Sequence, residues 1–336
     1  MRANRNGKPT VAVFGAAGHT GRFVVAELQR RGIEPIAISR DLAALDKNVR
    51  LRRSASIEDE RSLDRALDGA DAVINCAGPF LDTANAVAAA AMRARIHYLD
   101  VTAEQASAQA TLDDFDAAAR DAGVAVIPAM GFYGGFADLL VTAALGDWDS
   151  ADDIAVMIGL DSWHPTRGTR VTGERNTAQR VVISGGKLVP VPSPAVEKQW
   201  DFGAPLGRQA VVEIPLSEIV LIARHVKTSE LHTYLSRIAL DDIRDSATPP
   251  PKPDESGRSP QRFVVEAVVT RGGESRRAIG RGRDIYAFSA PLVCEVTERL
   301  IKGQFREPGA HAPGEILDAR AVLEAFAPKH LTYEMM

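Results

Sequence analysis

The sequence has few cysteines, no long apolar run and no excess of basic charge. Its 336 residues include two cysteines, Cys76 and Cys294, which are too few for a disulfide framework. No stretch approaches the ~20 apolar residues of a membrane-spanning helix. The net charge of −4 gives no electrostatic reason to expect nucleic acid or an anionic membrane as a partner. Since no Cys/His set has ligand spacing, no metal site is predicted.

The remaining composition, 45% hydrophobic and 25% charged, is typical of a globular protein, and the length allows two hydrophobic cores. The basic N-terminal residues are followed by an apolar run that breaks at Gly15, which is too short for a secretory signal. A reducing cytoplasm is therefore the expected location.

The segment from Thr10 to Arg40 is the most informative part of the chain. The apolar, β-branched run from Val11 to Phe14 predicts a buried strand. Three glycines then follow at the spacing of a dinucleotide-binding turn: one for the tight turn, one for approach of the pyrophosphate and one for close helix packing. A helix predicted over 20–31 would direct its first N–H groups at the phosphates. The expected cofactor contacts of this turn are Gly15, Ala17, Gly18, His19, Thr20 and Gly21.

The end of the second predicted strand, 34–39, indicates which dinucleotide is bound. It lacks the acidic residue that would bond an adenosine 2′-hydroxyl and instead has Ser39 and Arg40. Because a guanidinium binds phosphate oxygens bidentately, this pair favours NADP (NADPH) over NAD. The alternative is that Arg40 is a solvated surface charge, since the neighbouring Asp41 would oppose a phosphate.

The rest of the chain predicts two differently built domains. Strands at 49–52, 72–76, 96–101 and 124–128 alternate with helices at 62–67, 85–94 and 112–121, which predicts an α/β fold with a Rossmann, doubly wound parallel sheet. From about residue 150 the pattern changes to strands separated by Gly/Pro turns, which favours a second α+β domain with a mostly antiparallel sheet. The elements predicted there are strands at 153–160, 180–184, 210–214 and 262–270, helices at 229–240 and 284–302, and an irregular loop at 246–257.

Four further segments are more specific than the glycine turn. They are Val73 to Phe80 (VINCAGPF), Tyr98 to Glu104 (YLDVTAE), Pro128 to Phe132 with Asp138, and Gly282 to Tyr286 with Ala290-Pro291. In this order they resemble the NAD(P)-binding oxidoreductases related to saccharopine dehydrogenase, which include the trans-acting enoyl reductases. The resemblance implies a Rossmann domain over 1–130, a substrate domain over 131–283 whose sheet often supports a homodimer, a cleft between the two, and a return of 284–336 to the first domain.

Residues at the predicted strand ends are the candidates for the nicotinamide and substrate site. At the end of the fourth strand, the expected cofactor contacts are Asn75, Cys76, Ala77, Gly78 and Pro79. Cys76 is interpreted as a small buried side chain rather than a nucleophile. Asp100 and Glu104 follow the fifth strand and could orient substrate or move a proton, although helix capping explains Glu104 equally well. Tyr133 is the candidate proton donor of a reduction.

In the second domain, Arg167, Arg170 and Arg175 follow Trp163-His164 in a Gly-rich region and would suit an anionic or carrier-bound substrate, unless the loop is simply solvated. The function predicted is NADPH-dependent hydride transfer to a C=C or C=N bond of a small or carrier-bound metabolite. The alternatives are an amino-acid C–N dehydrogenase and a non-catalytic NADP-binding regulatory or scaffold protein.

Overall fold

The computed structural model describes residues 7–336; the first six residues, which carry part of the N-terminal segment considered above, lie outside the described residues. The first part of the chain alternates strands and helices: β1 (Thr10–Phe14), α1 (His19–Arg30), β2 (Glu34–Ser39), β3 (Leu51–Ser54), α2 (Glu60–Leu67), β4 (Ala72–Asn75), α3 (Phe80–Ala94), β5 (His97–Asp100), α4 (Gln105–Ala122) and β6 (Ala125–Ile127). A short 3₁₀ turn at Leu42–Ala44 follows β2.

The second part contains α5 (Gly135–Leu145), β7 (Ser150–Leu160), α6 (Arg167–Arg175), β8 (Val181–Ser184), β9 (Lys187–Pro190), β10 (Glu197–Asp201), β11 (Arg208–Glu213), α7 (Glu218–His225), β12 (Lys227–Ser236), α8 (Arg237–Arg244), β13 (Arg262–Arg271) and β14 (Glu274–Arg283). The chain continues with α9 (Ile285–Ile301), β15 (Gly309–Ala310), α10 (Pro313–Ile316), α11 (Ala319–Phe326) and β16 (Thr332–Met335). Among the helices of the described residues, none combines the length and apolar character that a bilayer crossing requires.

The first sheet is parallel, with the strand order β15-β6-β5-β4-β1-β2-β3. Successive residues of β1 point to opposite faces: Val11 and Val13 pack in the core that contains α1 and α9, whereas Ala12 and Phe14 pack in the core that contains α2, α3 and α4. This arrangement confirms the doubly wound parallel sheet. Because the strand order reverses between β1 and β4, a crevice opens at the carboxyl ends of these strands.

The second sheet has the order β10-β11-β12-β7-β13-β14-β16, with β8 and β9 attached through β12. Its neighbouring strands are antiparallel except for the pair β12–β7, so the prediction of a mostly antiparallel second sheet is confirmed. One face packs on α5, whose Phe136 and Leu139 share a core with Ile154 and Val265 of the sheet.

The helix predicted over 229–240 is wrong, because residues 227–236 form β12 and the helix there is α8. The spacing of Leu231 and Leu235 fits one face of a helix and one face of a strand equally well. In the structure both side chains, with Thr233 between them, are buried on one face of a strand that pairs with β7 and β11. Pairing with the neighbouring strands therefore decides between the helix and the strand. Several boundaries also move: α3 and α4 begin at Phe80 and Gln105, earlier than predicted, and β3 begins at Leu51.

The C-terminal part of the chain returns to the first sheet. Helix α9 packs on α1, where the Arg31 guanidinium lies 2.6 Å from Glu295 and 2.9 Å from Glu298. Strand β15 then pairs with β6, whereas β16 pairs with β14 of the second sheet.

Candidate active site

A cavity of about 800 Å³ lies at the carboxyl ends of the first sheet and extends to the second domain. Of the residues predicted to contact the cofactor, all except Gly21 and Asn75 line it. Glu104 and Tyr133 also line it, whereas Asp100 does not. The structure therefore brings most of the predicted site residues to one cavity, and the exceptions, Gly21, Asn75 and Asp100, are buried and do not line it.

The turn between β1 and α1 has the geometry of an anion-binding loop. Gly15 has a φ of +81°, and a Cβ there would come within 2.9 Å of the Ala77 backbone nitrogen. A Cβ on Gly21 would overlap the Gly15 carbonyl, so this glycine sets the close approach of helix to turn. No side chain caps the start of α1, and Gly18, His19 and Thr20 face the cavity. The uncapped N–H groups fit a pyrophosphate.

Ser39 and Arg40 face the cavity at the end of β2. Arg40 is exposed and, among the described residues, has no ion-pair partner. The carboxylate of Asp41 accepts a hydrogen bond from the N–H of Ala43 at 2.8 Å and so caps the 3₁₀ turn. Since this contact orients Asp41 toward its own turn, Arg40 is free to bind a phosphate.

Asn75 lies in the interior below the loop that follows β4. Its Nδ2 donates to Thr83 Oγ1 at 3.1 Å, and its Oδ1 accepts from the N–H of Ala77 at 3.0 Å. The side chain therefore shapes the loop whose residues Cys76 to Pro79 line the cavity. Burial raises the pKa of the Cys76 thiol far above its usual range, which disfavours a thiolate there.

Asp100 is fully buried at the end of β5. Its carboxylate accepts from the Tyr98 hydroxyl at 2.9 Å and from the N–H groups of Thr102 and Ala129 at 3.0 and 2.8 Å. Burial raises its pKa to about 6, although these three hydrogen bonds act in the opposite direction. Asp100 thus holds the end of β5 to the loop after β6.

Glu104 spans the gap between the loop after β5 and the start of α3. Its two carboxylate oxygens accept from the N–H groups of Phe80 and Leu81 at 2.8 and 3.3 Å. Burial raises its pKa, and the same two backbone contacts partly offset this effect. In this geometry Glu104 satisfies the first N–H groups of α3.

Tyr133 lies in the cavity wall with only 8% of its surface exposed. Its hydroxyl has no hydrogen-bond partner among the described residues, while its ring packs 5.0 Å from that of Trp163 and 4.9 Å from that of Phe132. Burial, with smaller contributions from Tyr286 and Glu218, raises its pKa well above the usual value. The phenol therefore keeps its proton, and no acceptor for it is present among the described residues.

The wall continues through the side chains of Trp163, Thr169 and Tyr286, to which the sequence analysis assigned no role. The Tyr286 hydroxyl, at the start of α9, accepts from the Trp163 indole nitrogen at 2.9 Å and lies 2.9 Å from Thr169 of α6. The Tyr286 ring meets that of His19 edge-on at 5.3 Å. Burial lowers the pKa of His19, which keeps it neutral beside the turn. Tyr286 belongs to a segment that carried the family resemblance, and that segment was the sequence signal from which its place in the site could have been predicted.

The arginines of the second domain divide into two sets. Arg170 donates to the backbone carbonyls of Asp245 and Thr248, and Arg175 lies 2.9 Å from Asp82, so neither guanidinium faces the cavity. Arg167 lines the cavity, as does Arg180, which the sequence analysis did not select. Burial lowers the pKa of Arg180, and the Glu218 carboxylate opposes this effect.

Fold and site together define an NAD(P)-binding oxidoreductase, with a parallel dinucleotide-binding sheet joined to a second sheet across one cavity. Residues 11–127 match the family model of the saccharopine dehydrogenase NADP binding domain. This match covers the first domain and agrees with the resemblance that the sequence motifs carry.

Comparison with solved structures agrees with this fold. Apo histidine-tagged saccharopine dehydrogenase (L-Glu forming) from Saccharomyces cerevisiae is similar with a TM-score of 0.66 and 12% identity, over 98% of this chain and 100% of that chain. Amine dehydrogenase from Mycobacterium smegmatis has a TM-score of 0.48 and 11% identity, over 94% of this chain and 97% of that chain, which is too distant to add to the assignment. No curated protein sequence matches the chain.

Proposed function

We propose that the protein is an NADPH-dependent reductase that acts on a C=C or C=N bond of a small or carrier-bound metabolite. The observation that carries the proposal is that the dinucleotide-binding turn and Tyr133 line one cavity, and that the buried Tyr133 hydroxyl has no hydrogen-bond partner among the described residues. Such a reduction adds a hydride, which bound NADPH supplies, to one atom of the double bond and a proton to the other. The Tyr133 phenol keeps its proton and could supply it in the second role, as a weaker acid than a solvated phenol because burial raises its pKa.

The turn, the end of β2 and the loop after β4 would hold the cofactor in one extended orientation. The first N–H groups of α1 would bind the pyrophosphate, and Ser39 with Arg40 would bind the 2′-phosphate. The backbone from Ala77 to Pro79 would border the nicotinamide end, because it lines the cavity beside Tyr133. Asp100 and Glu104 support this arrangement as positioning residues, since their oxygens are engaged by backbone N–H groups.

The proposal has three further parts. The domain boundaries lie near residues 130 and 283, the second sheet forms a homodimer, and the protein is located in the cytoplasm. Free thiols at Cys76 and Cys294 are compatible with a reducing compartment. Sedimentation analysis tests the dimer: a single species at the monomer mass across the accessible concentration range would contradict it.

The reaction is tested by following NADPH oxidation with panels of enoyl thioesters, imines and 2-oxo acids with ammonia. Turnover with one class is expected, and none with Gly18→Val, in which the pyrophosphate subsite is filled. Tight NADPH binding without turnover in any panel would favour the non-catalytic alternative.

A further inference from the structure

Helix α6 of the second domain crosses the crevice of the first sheet. At its start, Thr169 lies 2.9 Å from the Tyr286 hydroxyl, and the Tyr286 ring meets His19, which follows the turn after β1. At its end, Arg175 lies 2.9 Å from Asp82 in the first turn of α3, which follows β4. The helix therefore runs from the end of β1 to the end of β4, the two strands between which a doubly wound sheet binds its dinucleotide.

The middle of α6 rests on the loop after β4. A Cβ on Gly78 would come within 2.9 Å of the Thr172 Oγ1 atom. On the side of the second domain, Arg170 donates to the backbone carbonyls of Asp245 and Thr248. None of the residues 167–175 is buried. The helix thus covers the cavity without forming part of a hydrophobic core.

Tyr286 is the point at which this segment is fastened. Its hydroxyl accepts from the Trp163 indole nitrogen at 2.9 Å and from the N–H of Thr166 at 3.3 Å. Because these two bonds occupy its acceptor positions, its own proton is directed to Thr169 Oγ1. One phenol at the start of α9 therefore holds three residues of the segment that leads into α6.

Rotation of the two domains as rigid bodies is opposed by an aromatic cluster that joins them. Phe132 follows β6 of the first sheet, Phe263 belongs to β13 of the second, and Phe288 belongs to α9. The ring centroids of Phe132 and Phe288 lie 4.8 and 4.9 Å from that of Phe263, and all three side chains are buried. Since rotation would expose these rings, access to the cavity is easier through displacement of α6, which has no buried side chain to expose.

We propose that residues 163–176 form a lid that opens for exchange of the dinucleotide, and that Tyr286 is the positioning residue that holds the lid closed. The inference rests on the proposed function for the location of the dinucleotide and deepens it by assigning the element that controls its entry and release.

The bonds that hold the lid join protein to protein, so their loss has a particular kinetic signature. A weakened lid should raise the rate constants of NADPH association and dissociation by similar factors and leave Kd nearly unchanged. A lost cofactor contact would instead raise the dissociation rate constant and Kd together.

The test is stopped-flow mixing with NADPH, and displacement of bound NADPH by excess NADP⁺, both followed by NADPH fluorescence. Tyr286→Phe keeps the ring and should raise both rate constants about tenfold, because it removes the shared hydroxyl. Arg175→Gln should raise both about twofold, since the ion pair with Asp82 is exposed. Arg93→Gln is the matched control: it removes an exposed ion pair with Asp64 near the other end of α3 and should change neither rate constant.

Amide hydrogen exchange locates the motion. In the free protein the amides of α6 should exchange faster than those of α5 and α9, and NADP⁺ should slow α6 selectively. Three results would overturn the lid: wild-type rate constants in both Tyr286→Phe and Arg175→Gln, a Kd that rises in step with the dissociation rate constant, or equal slowing of α5, α6 and α9 by NADP⁺.

These readouts need no turnover, so the lid and the reductase can fail separately. Lid-controlled NADPH exchange without turnover in any substrate panel would retain the lid and refute the reductase. Turnover with rate constants of NADPH exchange that neither substitution changes would do the reverse, and a wild-type protein that does not bind NADPH would refute both.

Discussion

The Nε2 atom of His225 lies 2.7 Å from Oδ1 of Asp138, and the other oxygen of Asp138 accepts from the N–H of Gly314 at 2.6 Å. One buried carboxylate thus joins α5, α7 and α10. Burial alone would lower the pKa of His225, but the Asp138 carboxylate outweighs it and raises the pKa, with a smaller contribution from Glu315. This pair makes folding stability depend on pH.

Since the pKa of His225 is higher in the folded than in the unfolded state, its stabilising contribution is complete below the unfolded value of about 6.5 and is lost as pH rises through the folded value. We expect the difference in unfolding free energy between wild type and His225→Gln to shrink as pH rises from about 5.5 to 8.5. Urea unfolding at several pH values measures it. A difference that stays constant or grows with pH would contradict the assignment.

Arg40→Ala should weaken NADPH binding by about 1–3 kcal/mol, the range for a lost charge-assisted contact, and leave NADH nearly unchanged. The reason is that Arg40 lines the cavity and has no ion-pair partner in the described part of the chain. Calorimetry with both cofactors is the measurement. An equal loss of affinity for NADPH and for NADH would refute the assignment of Arg40 to the 2′-phosphate.

Gly18→Val should impair cofactor binding, whereas Gly21→Ala should impair folding stability. Gly18 has an ordinary φ of −72° and its Cβ would lie 3.1 Å from the Gly15 carbonyl, so the valine is expected to fold but to block the pyrophosphate. Gly21→Ala places a Cβ on that same carbonyl and should lower the melting temperature. Thermal unfolding and NADPH titration on both variants distinguish the roles, and normal NADPH affinity in a folded Gly18→Val would refute the placement.

Tyr133→Phe should reduce turnover by about 10²–10⁴-fold at unchanged NADPH affinity, since it removes only the proton donor. Its stability should be equal to or above that of the wild type, because a buried hydroxyl without a protein partner contributes nothing favourable to folding. Kinetics and urea unfolding are measured on the same preparation. If Tyr133→Phe keeps wild-type turnover, the proton comes from solvent or from the substrate itself.

Asp100→Asn is expected to act on folding. The amide would present an NH₂ group, or a single acceptor, to three donors that now share two carboxylate oxygens. A loss of about 1–3 kcal/mol in the free energy of unfolding follows, the range for an unsatisfied buried polar group. If the variant keeps full stability but loses turnover, Asp100 belongs to the chemistry.

Local patterns predicted the first domain well because its strands are short apolar runs between glycine turns, and β2 agrees at both ends. The same patterns placed Arg40 and Tyr133 near the cavity, since strand ends of one parallel sheet meet at one edge. Other features depend on distant partners. β12 became a strand through its pairing with β7 and β11, and Arg180 reaches the cavity because Gln105 holds the adjacent backbone. Neither partnership leaves a periodic signal in the sequence.

The final stretch of chain contributes an edge strand to each sheet, β15 beside β6 and β16 beside β14. The dinucleotide-binding sheet is therefore completed only after the second sheet has been traversed, and helix α9 covers a face of that first sheet before either edge is added. A fragment that ends near residue 130 would expose that apolar face and an unpaired strand edge, which are features of aggregating chains. The two domains have separate sheets, but neither sheet has all of its strands until residues 309–335 are in place.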